Sequence, residues 1–199
     1  CLSERIKKEF LDRGNDSTNV SILPCGIDID SYHIDEKDIL FPDRSIVVGK
    51  IEPRKRQAFL QHKGLNIDFI GNNSDGNFDI DDPCYFGEQS KGDIMENLTS
   101  YANMVLLSSG EAHPFVCLEG MAAGLVLVLS EQSTANLDVS QPFITVIPDH
   151  KLNDTQFLKE QIDTNRRVAI GMRKEIRQYC RDNFDWCAII NKYKEIIEK

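Results

Sequence analysis

The sequence predicts an α/β fold in which a parallel sheet carries helices on both faces. Three observations lead there. Short apolar runs rich in β-branched residues alternate along the chain with segments of helical period. Those runs are near-continuous, the pattern of strands covered on both sides. And 199 residues, 41% hydrophobic and 28% charged, suffice for one domain with its own core.

Taken in order, "ERIKKEFLDRG" (residues 4–14) places Ile6, Phe10 and Leu11 on one face and stops at Gly14, so it reads as an amphipathic helix. "VSIL" (20–23) reads as a strand running into the turn "PCGIDID". "SIVVG" (45–49) is a buried strand, a short helix follows Pro53, and "NIDFIG" (66–71) is the next strand. "NNSDGNFDIDDP" is a polar loop whose acidic spacing does not fit an EF-hand. "CYFG" (84–87) reads as a strand, "GDIMENLTSYA" (92–102) as a helix and "NMVLLSS" (103–109) as a strand. A helix then starts at Pro114, followed by strands "LVLVLS" (125–130) and "FITVI" (143–147). Helical sequence closes the chain from about residue 154 to 199, interrupted near Asn183.

A net charge of -9 argues against nucleic acid or an anionic membrane surface as partner. No apolar run approaches the ~20 residues that span a bilayer. The six cysteines (Cys1, Cys25, Cys84, Cys117, Cys180, Cys187) are scattered without a CxxC pair, so no metal site is expected and the thiols are read as reduced in a cytoplasmic protein. There is no P-loop and no GxGxxG. Because it opens on Cys1 rather than Met, the sequence is expected to be one piece, residues 1–199, of a longer protein.

In parallel α/β sheets ligands bind at the carboxyl ends of the strands. Two segments there carry chemistry. In "SSGEAHPFVCLEGMAAG" (108–124), Pro114 suits a first helical turn, and the amides of Phe115 and Val116 then form an anion seat beside Glu111. Glu119 lies in a helix apolar on nearly every side, where a carboxylate needs a partner or a site. A loop carboxylate and a charge on a half-exposed helix are the alternatives. In "VVGKIEPRKRQ", Lys50, Arg54, Lys55 and Arg56 follow a strand end at Gly49, which suits a phosphate-bearing ligand or else a solvated basic face.

These segments, in this order, resemble the C-terminal donor-binding domain of GT-B-fold retaining glycosyltransferases, the group 1 glycosyl transferases. "VSILPCGIDIDSY" is similar to the family's strand and "P-N-G-[VI]-D" turn, with Cys25 for Asn. "VVGKIEPRK" is similar to its "G-R-x-x-x-x-K" segment, with Lys50 for arginine and Lys55 for the lysine. "YFGEQSKGDIMENLTSYANMVLLSS" resembles its "F-x-G…L…Y-x-x-A-D" region, Asn103 replacing Asp. "SSGEAHPFVCLEGMAAG" carries its two spaced glutamates and "A-M-A-x-G", and "FDWCAIINKYKEII" its closing helix.

The resemblance implies a Rossmann-like half of a GT-B fold that takes a UDP- or GDP-linked sugar and needs no metal or other cofactor. It implies that Glu119 binds ribose hydroxyls, that Glu111 holds the sugar with Ser108 nearby, and that Lys50, Lys55 and the amides after His113 and Pro114 (Phe115, Val116) hold the diphosphate. The base would lie by Gly87, Glu88 and Gln89. An N-terminal acceptor domain of the same protein would complete the enzyme, and the acceptor is left open. Lys50, Ala112 and His113 depart from the family, which makes a catalytically impaired GT-B-like binding module the alternative; a GT-B-fold sugar-nucleotide epimerase shares the architecture, but the motif spacing fits the transferases better.

Overall fold

The computed structural model describes residues 1–16, 20–35 and 39–198. Five strands, β1 (Phe41–Val48), β2 (Ile67–Ile70), β3 (Tyr101–Leu106), β4 (Val126–Ser130) and β5 (Ile144–Ile147), form one sheet. Their order is β2-β1-β3-β4-β5 and every neighbouring pair is parallel. The helices are α1 (Glu4–Asp12), α2 (Gln57–Gln61), α3 (Lys91–Asn97), α4 (Phe115–Ala122), α5 (Thr155–Phe184) and α6 (Trp186–Ile197). The α/β class and the covered parallel sheet are as the apolar runs predict.

Alternation along each strand feeds two cores. Ile46, Met104 and Leu127 pack with Leu118, Met121 and Ile176 on one face. Val47, Val105 and Val128 pack with Leu60, Leu158 and Ile162 on the other. Burying each such side chain contributes about 1.5–3 kcal/mol, so two occupied faces rather than helix propensity hold the sheet together. The chain builds β2 on one side of β1 and then crosses to β3 on the other. The carboxyl ends of β1 and β3 therefore flank the crevice where the connections diverge.

Three local expectations change, and a fourth is met in two pieces. Residues 20–23 join no ladder: Leu23 donates to the Cys1 carbonyl at 2.9 Å, and Pro24 removes the next donor. Downstream, Gly26 lies under Trp186, where a Cβ would come within 2.6 Å of the indole ring, so this segment meets α6 instead of the sheet. Residues 84–87 bond to β2 through Phe69 N–H to Cys84 O at 2.8 Å and Phe86 N–H to Phe69 O at 2.9 Å, but only as an isolated bridge. Gly87, at φ +69°, turns the chain away. The helix expected over 92–102 ends at Asn97, because Tyr101 and Ala102 are buried as the first residues of β3. Finally, the helix after Pro53 is a 3₁₀ turn (Pro53–Lys55) and a five-residue α2, separated by Arg56 at φ +58°.

The closing helix breaks at Asp185, two residues past Asn183. Asp185 leaves helical geometry and its Oδ1 accepts from Cys187 N–H at 2.9 Å, capping α6. Lys199, the end of the expected helix, lies outside the described residues.

Candidate functional site

The carboxyl edge of the sheet opens at a glycine corner. Gly49 and Gly71 follow β1 and β2 at φ +132° and +150°. A Cβ on Gly71 would stand 2.1 Å from the Gly49 carbonyl oxygen, so only glycine fits where these backbones meet. Beside them is a cavity of about 360 Å³, lined by Val48, Lys50, Ile70, Asn72, Gln89 and Ile94, with Gly49, Gly71 and Glu88. Glu88 accepts from Asn72 Nδ2 at 3.2 Å, and the Gly87 carbonyl from Gly71 N–H at 2.8 Å. Of the expected base-side and phosphate-side residues, Glu88, Gln89 and Lys50 thus line one cavity, while Gly87 and Lys55 are not among its lining residues.

Lys50 and Lys55 take no ion-pair partner among the described residues. The Lys55 ammonium lies 2.7 Å from where a Cβ on Gly49 would be. Cys117 is fully buried in the first turn of α4. Burial pushes its thiol far up, and the charges of Glu111, Lys55 and Glu119 all reach it, Lys55 alone pulling it down.

Glu111 is held from across the crevice. Arg54 Nη1 donates to Glu111 Oε1 at 3.0 Å and to Ser108 Oγ at 3.1 Å, while Nη2 donates to Glu52 Oε1 at 2.7 Å. Burial lowers the Arg54 pKa, but the Glu111 and Glu52 carboxylates outweigh it and raise it overall. Ser108 is fully buried, and its carbonyl accepts from Ser130 Oγ at 2.6 Å.

Glu119 is 8% exposed and paired. Its Oε1 accepts from the Lys91 ammonium and from Tyr32 Oη at 3.2 Å, and Tyr32 Oη accepts from Lys91 at 2.6 Å. Burial, with Glu119 second, pushes the Tyr32 phenol far up, so it stays a donor. The carboxylate in the apolar helix is therefore compensated before any ligand arrives.

The anion seat differs from expectation. Pro114 caps α4 at φ -76° and ψ 80° instead of forming its first turn. That inverse γ-turn geometry spends the Phe115 N–H on the His113 carbonyl at 2.8 Å. The Val116 amide makes no hydrogen bond among the described residues and remains open.

The His113 ring turns inward, packing on Phe184 at 6.0 Å between centroids. Its Nδ1 accepts from Asn136 Nδ2 at 2.9 Å, and its Nε2 is buried without a well-placed partner among the described residues. Burial lowers its pKa, against the raising effect of the Cys25 and Ala135 backbone. The folded protein thus resists a proton that the unfolded chain takes up near pH 6.5. Stability is full above that pH and falls as pH drops below it. Melting midpoints recorded between pH 7.5 and 5.5 should decline, and His113→Phe should flatten that decline; a parallel decline in the variant would contradict the assignment.

Sequence reasoning gave Arg54 no partner and missed Lys91 and Tyr32. The Glu52–Arg54 alternation hints at the first. Nothing local signals the other two, which reach Glu119 across 28 and 87 positions. Among the described residues, no group of three His, Cys, Asp or Glu side chains is placed to hold a metal. None of their helices is long and apolar enough to cross a membrane.

No family model and no curated protein matches the sequence. Solved structures do match its fold. Sucrose-phosphate synthase from Thermosynechococcus elongatus superposes with a TM-score of 0.73 at 16% identity, over 99% of this chain and 57% of that one. The lipopolysaccharide outer core galactosyltransferase WaaB gives 0.69 at 15%, over 99% and 60%. HepE of Anabaena, solved with UDP and glucose, gives 0.69 at 16%, over 100% and 62%. The chain is one Rossmann-like half of a GT-B fold. As a GT-B half it spans about three fifths of the length of these solved chains. Identities this low establish the fold of the GT-B half and leave its chemistry to its own residues.

Proposed function

We propose that the chain is the donor-binding half of a retaining glycosyltransferase, holding a nucleoside diphosphate sugar at the carboxyl edge of its sheet. This reading is supported by Lys50 and Lys55 beside the glycine corner, both lacking ion-pair partners among the described residues, and by Glu111 and Glu119 before and within α4. Breaking the sugar–phosphate bond leaves negative charge growing on the diphosphate. Two ammonium groups and the open Val116 amide would supply donors for that charge. Glu119 would take ribose hydroxyls, Glu111 the sugar, and the wall of Gly87, Glu88 and Gln89 the base. An N-terminal domain would bring the acceptor, in a protein working in the cytoplasm.

Calorimetric titration with UDP, GDP and their sugar-linked forms tests this: binding of at least one is expected, and no binding of any at millimolar ligand would sink it. Glu119→Ala should keep the fold, because Lys91 is half exposed and solvates when released, and should lose roughly tenfold in nucleotide affinity. Unchanged affinity in a folded variant would overturn the ribose assignment.

Two observations favour a second reading, a GT-B-like binding module with little turnover. The Phe115 amide is occupied by the His113 carbonyl, and Lys50 cannot offer phosphate the planar fork of an arginine. Full-length protein that binds a sugar nucleotide but neither transfers nor hydrolyses its sugar would favour this second reading.

A further inference from the structure

We propose that Arg54 is a positioning residue that aims Glu111 at the sugar of the donor, an inference that rests on the donor-binding reading above. Its Nη1 donates to Glu111 Oε1 at 3.0 Å, to Ser108 Oγ at 3.1 Å and to the Gly110 carbonyl oxygen. Its Nη2 holds Glu52 Oε1 at 2.7 Å. The Arg54 carbonyl oxygen in turn accepts from Ser109 N–H at 2.8 Å and from Ser109 Oγ at 3.2 Å. One residue therefore ties the lysine segment after β1 to the loop after β3, side chain and backbone together.

This arrangement does little for stability. The Arg54 side chain is 44% exposed and the Glu111 side chain 14%, and exposed ion pairs contribute about 0–1 kcal/mol. Its effect is directional. A planar guanidinium fixed at Glu52 and at the Gly110 carbonyl has one orientation left, and the Glu111 carboxylate bonded to it loses most of its rotamer freedom. Glu111 Oε1 is engaged, while Oε2 accepts no hydrogen bond among the described residues and is left for a sugar hydroxyl. Because Arg54 directly precedes Lys55, the same short turn carries a phosphate-side cation and the group that aims the sugar-side carboxylate. Sugar contact and diphosphate contact are thereby held in one geometry.

The test compares the full chain with Arg54→Ala and Arg54→Gln by calorimetry, using UDP, UDP-glucose, UDP-N-acetylglucosamine, GDP and GDP-mannose. The parent should bind one nucleoside diphosphate, and one of its sugar-linked forms more tightly. Arg54→Ala should leave the affinity for the bare diphosphate within about twofold and erase the sugar's increment, roughly tenfold. Adding Glu111→Gln to Arg54→Ala should cost nothing further. Equal losses for diphosphate and sugar-linked form would make Arg54 a phosphate ligand and overturn the proposal, as would no loss for either. No sugar increment in the parent overturns it as well, while leaving nucleotide binding standing. No binding of any probe by the parent removes the donor-binding reading and this inference together. If Arg54→Ala does not fold, Arg54→Gln carries the comparison. Unfolding of both variants would show that Arg54 holds the fold rather than aims Glu111.

Discussion

A Lys50→Ala/Lys55→Ala variant should fold normally and lose nucleoside diphosphate affinity by about two orders of magnitude. Lys50 is exposed, and neither ammonium takes an ion pair among the described residues, so their removal leaves no carboxylate uncompensated. The glycine corner keeps the ends of β1 and β2 close, and the Lys55 ammonium lies beside Gly49 where a Cβ would displace it. A hydrogen bond to a charged group contributes about 1.5–3 kcal/mol, and two such losses correspond to at least about a hundredfold in affinity. The unsubstituted protein should also bind less tightly as salt rises, and the variant should show a shallower salt dependence. Titration at two ionic strengths checks both. Affinity within twofold of the parent would remove the lysines from the site.

Arg173→Leu should be the most destabilising of these substitutions, by about 3 kcal/mol or more. Arg173 is 3% exposed on α5. Its Nη1 donates to Thr99 O at 2.7 Å, Thr99 Oγ1 at 2.6 Å and Asp35 O at 3.1 Å, and its Nη2 to Tyr101 O at 2.8 Å. Those carbonyls belong to the segment before β1 (Asp35), the 3₁₀ turn before β3 (Thr99) and the first residue of β3 (Tyr101), at the end of the sheet away from the ligand edge. A leucine fills much of the volume but leaves buried carbonyl oxygens without donors, each costing about 1–3 kcal/mol. For a domain of this size the melting midpoint should fall by roughly 6–12 °C. At a temperature where the variant is folded, its nucleotide affinity should match the parent's. A loss below about 1 kcal/mol in denaturant unfolding would show that water or neighbouring groups satisfy those carbonyls.

Much of the fold was legible because strand burial leaves a local mark. "IVV", "MVLL" and "LVLVL" are apolar at every position, since both faces of the second half of β1 and of β3 and β4 are covered, and all three strands form, β1 starting four residues and β3 two residues earlier than expected. "VSIL" and "CYFG" carry the same composition but fail as ladder strands. One ends at a proline beside α6, and the other turns off at Gly87 after a single bridge. Composition specifies that such runs prefer burial. It does not specify whether a neighbouring strand remains to pair with them.

The site divides along the same line. Sequence by itself determined which residue types stand at the carboxyl edge: the glycines after β1 and β2, the lysines that follow, and the two glutamates around Pro114. Strand order in a parallel sheet sends all of these to one edge whatever the side chains do. Only the tertiary structure decided what each group bonds to. It gave Glu119 to Lys91 and Tyr32, gave Glu111 to Arg54, spent the Phe115 amide on the His113 carbonyl, and turned the His113 ring toward Phe184. The reason is range. Periodicity reports on neighbours within a few positions, whereas a charge pair forms between side chains that folding brings within about 3 Å, however far apart they lie along the chain.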